Sequence, residues 1–411
     1  MMVDRVSGEI VIVGDEVVSG RVVDTNSTVI TRSLQRIGIE TTRVVRVRDD
    51  ELEIKRAVAG ALVSSRLVFV CGGLGPTPDD KTLYAVCELL ERKPVVHQPT
   101  LERIKEFFTR RSFKIPVTAE RQALVPEGAK VFTNPNGMVP GMVIEHQGSQ
   151  IYLLPGVPQE LSTLLEQGII PYLKGRIGSK TGYSAVIRTF GLIESKIIPQ
   201  VKRVLKRFPG VSAGYYPAVS GLDIAITGKD EEIVKRCADT LVELFGIRVY
   251  TRDDKSLPEV VGEILRQKRL TIATAESCTG GLISDLLTNV PGSSDYYLGG
   301  VVAYSNRTKI NLLGVEERVI DRYGAVGSQT VKEMAKGICS VMGTDCGIAV
   351  SGIAGPGGGT VKKPVGLVYI GVVYRGRFRV ERGLFSGTRR LIKERSAYSA
   401  LDLLRRVLLD G

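Results

Sequence analysis

Histidine is nearly absent from this chain: the 411 residues contain two, His97 and His146, and the C-terminal half has none. Hydrolytic chemistry in that half has to find another base. Cysteine is sparse and scattered. Cys71, Cys87, Cys237, Cys278, Cys339 and Cys346 form no CxxC pair, which argues against a zinc site or a disulfide framework and fits a reducing compartment. No apolar run approaches the roughly 18 residues of a membrane span. The N-terminus lacks the basic-then-apolar layout of a secretion signal, so the expected location is the cytoplasm, with no membrane partner. Long Lys/Arg tracts are missing too, although the net charge is +12. The first 174 residues are balanced and the surplus lies beyond them. That pattern fits an ordinary basic surface as well as attraction for nucleic acid or phosphate substrates.

What is present is ordinary globular composition, 43% hydrophobic and 24% charged, in a chain long enough for two or three domains. The first segment, 1–174, alternates strand and helix signals. Glu9–Gly14, Thr42–Val47 and Arg66–Cys71 read as strands; Thr25–Ile37, Asp49–Leu62 and Lys81–Glu91 read as helices. This order predicts an α/β fold with a parallel sheet, whose ligands sit beyond the carboxyl ends of the strands. Pro94–Pro126 reads as largely helical. A middle segment, 175–251, reads β-α-β-β-α-β, a small α+β module. The last, 256–411, opens with a helix over Leu257–Lys268. A strand over Leu270–Ala275, a glycine turn and a helix over Leu282–Thr288 follow. It closes with a helix over Arg389–Leu409.

Two stretches carry chemistry. Thr274-Ala-Glu-Ser-Cys-Thr-Gly-Gly281 places Ser277 where a strand turns into a helix. The amides of the helix start are expected to be exposed there and able to hold an oxyanion, and Gly280 and Gly281 permit close substrate approach. Lys309, at the end of an apolar strand over Gly300–Tyr304, is the available base if burial neutralises it. The loop Ser351–Thr360, with Gly355 and Gly357, could cradle a phosphate or the oxyanion. Residue types alone leave other readings open: Ser277 as a helix cap, Lys309 as a surface charge, and Cys278 as either the better nucleophile or buried packing.

The second stretch, Cys71–Thr82, closes a strand and opens a helix. Gly72, Gly73 and Gly75 turn amides toward an anion, with Thr77 beside them. Asp79 and Asp80 follow, and Asp15 and Asp49 lie just past two other strand ends. Such acids suit a divalent metal bridging to phosphate, with solvated helix caps as the alternative.

TIATAESCTGGLIS, VPGSSDYYLGGVVAYSNRTKINLLGV, GAVGSQTV and AVSGIAGPGGGTVKKPVGLVYIG resemble the C-terminal domain of the competence/damage-inducible protein A (CinA) family. The resemblance covers nearly all of 257–411. It implies a nicotinamide-nucleotide amidase that turns nicotinamide mononucleotide and water into nicotinic acid mononucleotide and ammonia without a cofactor. Ser277 would be the nucleophile and Lys309 the general base. Tyr304 and Ser351 would assist, the latter where the family usually has threonine, and Arg389 would hold the phosphate.

The runs Gly14–Asn26, GGLGPTPDDKT, Asn134–Gly141 and Leu154–Glu160 are similar to the family's N-terminal, molybdopterin-binding-like domain. They imply metal-dependent (Mg, Mn or Co) hydrolysis of ADP-ribose to AMP and ribose 5-phosphate. Asp15, Asp49 and Asp80 match the acidic positions; Asn26, Gly137, Gly156 and Glu160 fall in the substrate loops. The middle segment resembles the family's KH-type connector. Its one GxxG, Gly175–Gly178, precedes the first strand, so RNA binding is not expected. A homodimer is implied by the family. The rivals are a non-catalytic DNA-uptake accessory and a molybdopterin-type binding protein.

Overall fold

The computed structural model describes residues 6–115, 118–177 and 183–410. Gly178 of the GxxG motif lies outside them. The chain divides into two compact units, Met1–Ala185 with Thr227–Lys235, and Val186–Ile226 with Arg236–Gly411.

The first unit is built on a six-stranded sheet. Its strands run in the order Glu40–Val47, Ser7–Val13, Leu67–Cys71, Ser149–Leu154, Gly141–His146, Lys130–Phe132. The first four are parallel; Gly141–His146 runs antiparallel to them, and Lys130–Phe132 pairs antiparallel with it in turn. The first strand lies between the second and third, so the order switches at its edge with Leu67–Cys71. A ligand crevice is expected at the carboxyl ends there. Leu67–Cys71 is buried throughout, as a strand covered on both faces must be. The helix expected from Asp49 begins instead at Glu51, because Asp50 is the cap: its carboxylate accepts the amides of Leu52 and Glu53, both at 3.0 Å. Asp49 is thereby free of capping. The expected helical stretch Pro94–Pro126 holds a helix, Gln98–Arg110, but also two short strands, Pro94–Val96 and Leu124–Pro126.

A four-stranded sheet runs Ser212–Ala218, Gly221–Gly228, Tyr183–Thr189, Val249–Thr251, with helices Glu194–Leu205 and Glu231–Phe245. Its β-α-β-β-α-β order is that of a split β-α-β module; the resemblance to a KH-type connector has no support from this topology.

The second unit's main sheet runs Tyr297–Val302, Ile272–Glu276, Cys346–Gly352, Leu367–Tyr374, Arg377–Leu384. The first three are parallel; Leu367–Tyr374 runs antiparallel to them, and Arg377–Leu384 pairs antiparallel with it in turn. A capping box starts the helix Leu257–Lys268: the Ser256 amide donates to Glu259 at 2.6 Å, and the Glu259 amide donates back to the Ser256 hydroxyl. The long helix Arg389–Asp410 buries Ile392, Leu401, Leu404 and Leu408 in the same core as Ile272 and Ile348.

That helix also buries an ion cluster. Arg405 and Asp402 are each 1% exposed. The Arg405 guanidinium donates to Asp402 Oδ1 at 2.8 and 3.1 Å and to the Ile247 carbonyl at 2.5 Å, while Arg406 takes Asp402 Oδ2 at 2.8 Å. Removing one partner of such a cluster strands a buried charge. Asp402→Ala is expected to cost about 3–5 kcal/mol, whereas Asp402→Leu combined with Arg405→Met comes closer to neutral. Urea midpoints of the two variants, read against wild type, test this; equal losses would contradict it.

Candidate active sites

Both sites lie where parallel strands end. In the second unit Glu276 pairs with Val302 on one side and Val350 on the other. The next residue of the central strand, Ser277, is therefore level with Ala303 and Ser351. Its amide donates to the Val350 carbonyl at 2.9 Å, which fixes the turn. Gly280 and Gly281 follow at φ +64° and +96°, the left-handed region that lets the chain reverse into the helix Leu282–Thr288.

Lys309, expected to follow directly on an apolar strand, lies in a helix, Asn306–Leu313. The apolar strand ends at Val302, and Ser305 caps the helix by accepting the Thr308 amide at 3.1 Å. The helix turns the lysine back toward the strand ends. Lys309 is 1% exposed and Ser277 8%. Lys309 Nζ lies 3.2 Å from Ser277 Oγ, 2.7 Å from the Ala303 carbonyl and 3.3 Å from the Tyr304 carbonyl. Burial pushes the ammonium below its ordinary pKa, and among the described residues the Cys278 thiol alone opposes this and no carboxylate offsets the charge. A neutral amine has two N–H groups and one lone pair. The two carbonyls and the Ser277 oxygen can take all three N–H groups of the ammonium; in the neutral form two N–H groups stay on the carbonyls and the lone pair is left for the Ser277 hydroxyl. Cys278 is buried and its thiol is pushed up to about 12 by desolvation, so it is the poorer candidate for a nucleophile.

The expectation of free amides at the helix start is corrected by Glu276, a residue the sequence reading passed over. Its buried carboxylate accepts the amides of Gly281, Ile283 and Ser284 at 3.0, 3.1 and 2.9 Å, and the Ser284 hydroxyl at 2.7 Å. Of the turn's amides, those of Cys278 and Thr279 donate to no backbone carbonyl among the described residues.

Ser351 is buried and its hydroxyl donates to the Ala325 carbonyl at 2.7 Å. Tyr304 is 62% exposed; its phenol accepts from Arg389 at 2.9 Å, and Arg389 also donates to the Gly355 carbonyl at 2.8 Å. Gly357 stands open in the same loop. One turn beyond Arg389, Lys393 brings its ammonium to 3.4 Å from where a Gly280 side chain would begin. No local motif announces Lys393, since it is more than a hundred residues from Ser277.

In the first unit a cleft of about 1090 Å³ opens at the strand ends. Gly72 sits where any side chain would lie 2.2 Å from the Val13 carbonyl, so the two strand ends close to backbone contact. The Thr82 hydroxyl and amide hold the carbonyls of Gly72 and Gly73 at 2.8 and 3.0 Å. Asp15 donates its amide to Asp49 Oδ2 at 2.8 Å. Thr77 gives its amide and hydroxyl to Asp80 Oδ2 at 2.8 and 2.5 Å. Gly75 and Asp79 complete this part of the lining. Burial, then the charges of Asp15, Glu16 and Asp80, raise the Asp49 pKa against the Asp15 amide. The acids thus share one face. Among the described residues, however, no three His, Cys, Asp or Glu side chains form a ready-made metal cage.

Asn26 donates to the Gly156 carbonyl at 2.6 Å, and its Oδ1 is a buried acceptor without a partner. Glu160 accepts from Asn134 at 2.7 Å, and burial raises its pKa. Arg103, also unanticipated, donates to the carbonyls of Asn134, Gly137 and Met138, the last two at 2.8 and 3.2 Å. No described helix is long and apolar enough to cross a membrane.

Comparison with known proteins matches a CinA C-terminal domain model to residues 254–408 and a probable molybdopterin binding domain model to residues 9–175. A CinA-like protein of Dictyoglomus thermophilum is 39% identical over 98% of this chain and 99% of its own. A putative competence-damage inducible protein of Caldicellulosiruptor bescii is likewise 39% identical, with the same coverage. A solved CinA superfamily protein of Klebsiella pneumoniae is 32% identical over 38% of this chain and 97% of its own, with a TM-score of 0.37.

Lys309 ties the site to stability. Its folded pKa is lowered. Below that value the amine is charged in both states, and the folded chain bears the full desolvation cost. The cost disappears as pH rises past the unfolded lysine value of about 10.4. Lys309→Met is therefore expected to raise the urea midpoint at about pH 7 and to lose that advantage toward about pH 10.5. An equal gain at both would refute the burial argument.

Proposed function

The chain belongs to the CinA family, and on that premise we propose that its C-terminal unit is a serine–lysine amidohydrolase acting on nicotinamide mononucleotide. The observation that carries the reading is the 3.2 Å contact between Ser277 Oγ and a buried amine with no carboxylate partner. Neutral Lys309 takes the hydroxyl proton as Ser277 Oγ attacks the carboxamide carbon. The amides of Cys278 and Thr279 face the oxyanion that forms. Lys309 then gives its proton to the departing nitrogen, the C–N bond breaks, and ammonia leaves an ester on Ser277. Water, losing a proton to Lys309, cleaves that ester; nicotinic acid mononucleotide leaves and the serine regains its proton. The oxygen of Tyr304 holds Arg389, and Arg389 with Lys393 supplies cations for the nucleotide phosphate.

The N-terminal cleft supports a second proposed activity, hydrolysis of the ADP-ribose phosphoanhydride to AMP and ribose 5-phosphate. A divalent cation such as magnesium, manganese or cobalt fits residues that offer one or two carboxylates and leave its other positions to phosphate oxygens and water. When bound it would neutralise charge on the phosphoanhydride. Asp49 and Asp80 are the carboxylates best placed to hold it, Asp80 being oriented by Thr77. The Gly72 amide is taken by the Leu154 carbonyl at 3.1 Å, which leaves the amides of Gly73 and Gly75 for the phosphates, and the unpartnered Asn26 Oδ1 suits a ribose hydroxyl.

Two variants separate the activities. Ser277→Ala is expected to lower ammonia release from nicotinamide mononucleotide at least about a thousandfold, while Cys278→Ala keeps most of it. The reverse pattern would identify a thiol enzyme. Asp80→Ala is expected to remove ADP-ribose cleavage and leave ammonia release intact; loss of both together would contradict two independent sites.

A further inference from the structure

The N-terminal cleft has two zones. Its floor is polar, made of the glycine turn and the acids. Its rim carries Phe107, Val22, Val23 and Val157, all large apolar residues left exposed. Single exposed apolar side chains are unremarkable, but four around one cleft mark a surface meant to be covered.

The helix Gln98–Arg110 sets this rim. Ile104 is buried with Leu101, Ala119 and Ala123, and Arg103 is tied to three carbonyls of the Asn134–Met138 loop. These contacts fix the helix at the cleft wall. Phe107 and Arg111 follow Arg103 at intervals of four, so they share its side of the helix. The Arg111 guanidinium lies 3.8 Å from the Phe107 ring centroid, and Phe107 is still 37% exposed. A phenyl ring and a guanidinium plane together offer two flat surfaces that a planar heterocycle can stack on.

We propose that Phe107 and Arg111, which line the same cleft as Val22 and Val23, form a nucleobase subsite, so that the cleft selects phosphate esters carrying a purine-like ring over those that lack one. This rests on reading the cleft as a nucleotide site and adds to it the group that chooses the base. Phosphates on the floor and a stacked ring at the rim divide one ligand between the two zones.

The test is calorimetric titration of the full chain with AMP and, separately, with ribose 5-phosphate, alongside ADP-ribose turnover. Phe107→Ala is expected to weaken AMP binding roughly ten- to a hundredfold and to leave ribose 5-phosphate unchanged. Phe107→Tyr, which keeps the flat face, is expected to retain AMP. Equal loss for both ligands, or unchanged AMP affinity in a variant that still turns over ADP-ribose, overturns the subsite alone. A wild-type chain that neither binds AMP nor cleaves ADP-ribose overturns the nucleotide reading with it. A variant that loses affinity for a pterin but not for AMP assigns the rim to a different ring and also overturns the proposal.

Discussion

The C-terminal site depends on one unfavourable placement: a lysine amine held out of water with no acid to neutralise it. Burial without a counter-charge shifts the balance toward the neutral amine, and the neutral amine is the form with a lone pair. The surrounding structure maintains that placement. The Ser305 cap turns the lysine inward, the Ala303 and Tyr304 carbonyls take its hydrogens, and strand register brings Ser277 to its remaining side. A carboxylate beside Lys309 would hold the proton on the amine and remove the base.

Glu276 shows how the neighbouring charge is kept from doing that. It is buried one residue before the nucleophile, yet its oxygens are occupied by three amides and a hydroxyl at the start of the following helix. The carboxylate stiffens the turn and spends its charge on the helix N-terminus, where negative charge is favoured. Those amides are therefore not free to hold an oxyanion, and under the proposed amidase reading the donors would come from the turn itself, at Cys278 and Thr279.

The N-terminal cleft uses the opposite electrostatics on a similar sheet. Acids gather at parallel strand ends, and burial first, then their mutual repulsion, raises the pKa of Asp49. Such an arrangement suits a cation shared with a phosphate better than proton transfer by a lysine. In both units the loops beyond the strands carry the polar groups while the strands themselves are buried, which is where open α/β sheets place their ligands.

Much of the scaffold was legible in the residues. The helices Leu257–Lys268 and Leu282–Thr288 match their expected bounds, because apolar periodicity and capping residues act locally. Asp49 was misread as the start of a helix, since Asp49 and Asp50 are chemically alike and only the backbone path chooses the cap. The helix carrying Lys309 was missed because it is short and follows directly on an apolar strand. Glu276, Arg103 and Lys393 had no local signature at all, their partners being set by how distant segments pack. By itself, then, the sequence determined the order of elements, the lack of a histidine base and the positions of the glycine turns. Only tertiary structure decided which amine lost its water, which amides were already taken and which acids faced one another, because desolvation and hydrogen-bond competition arise between segments that the chain brings together on folding.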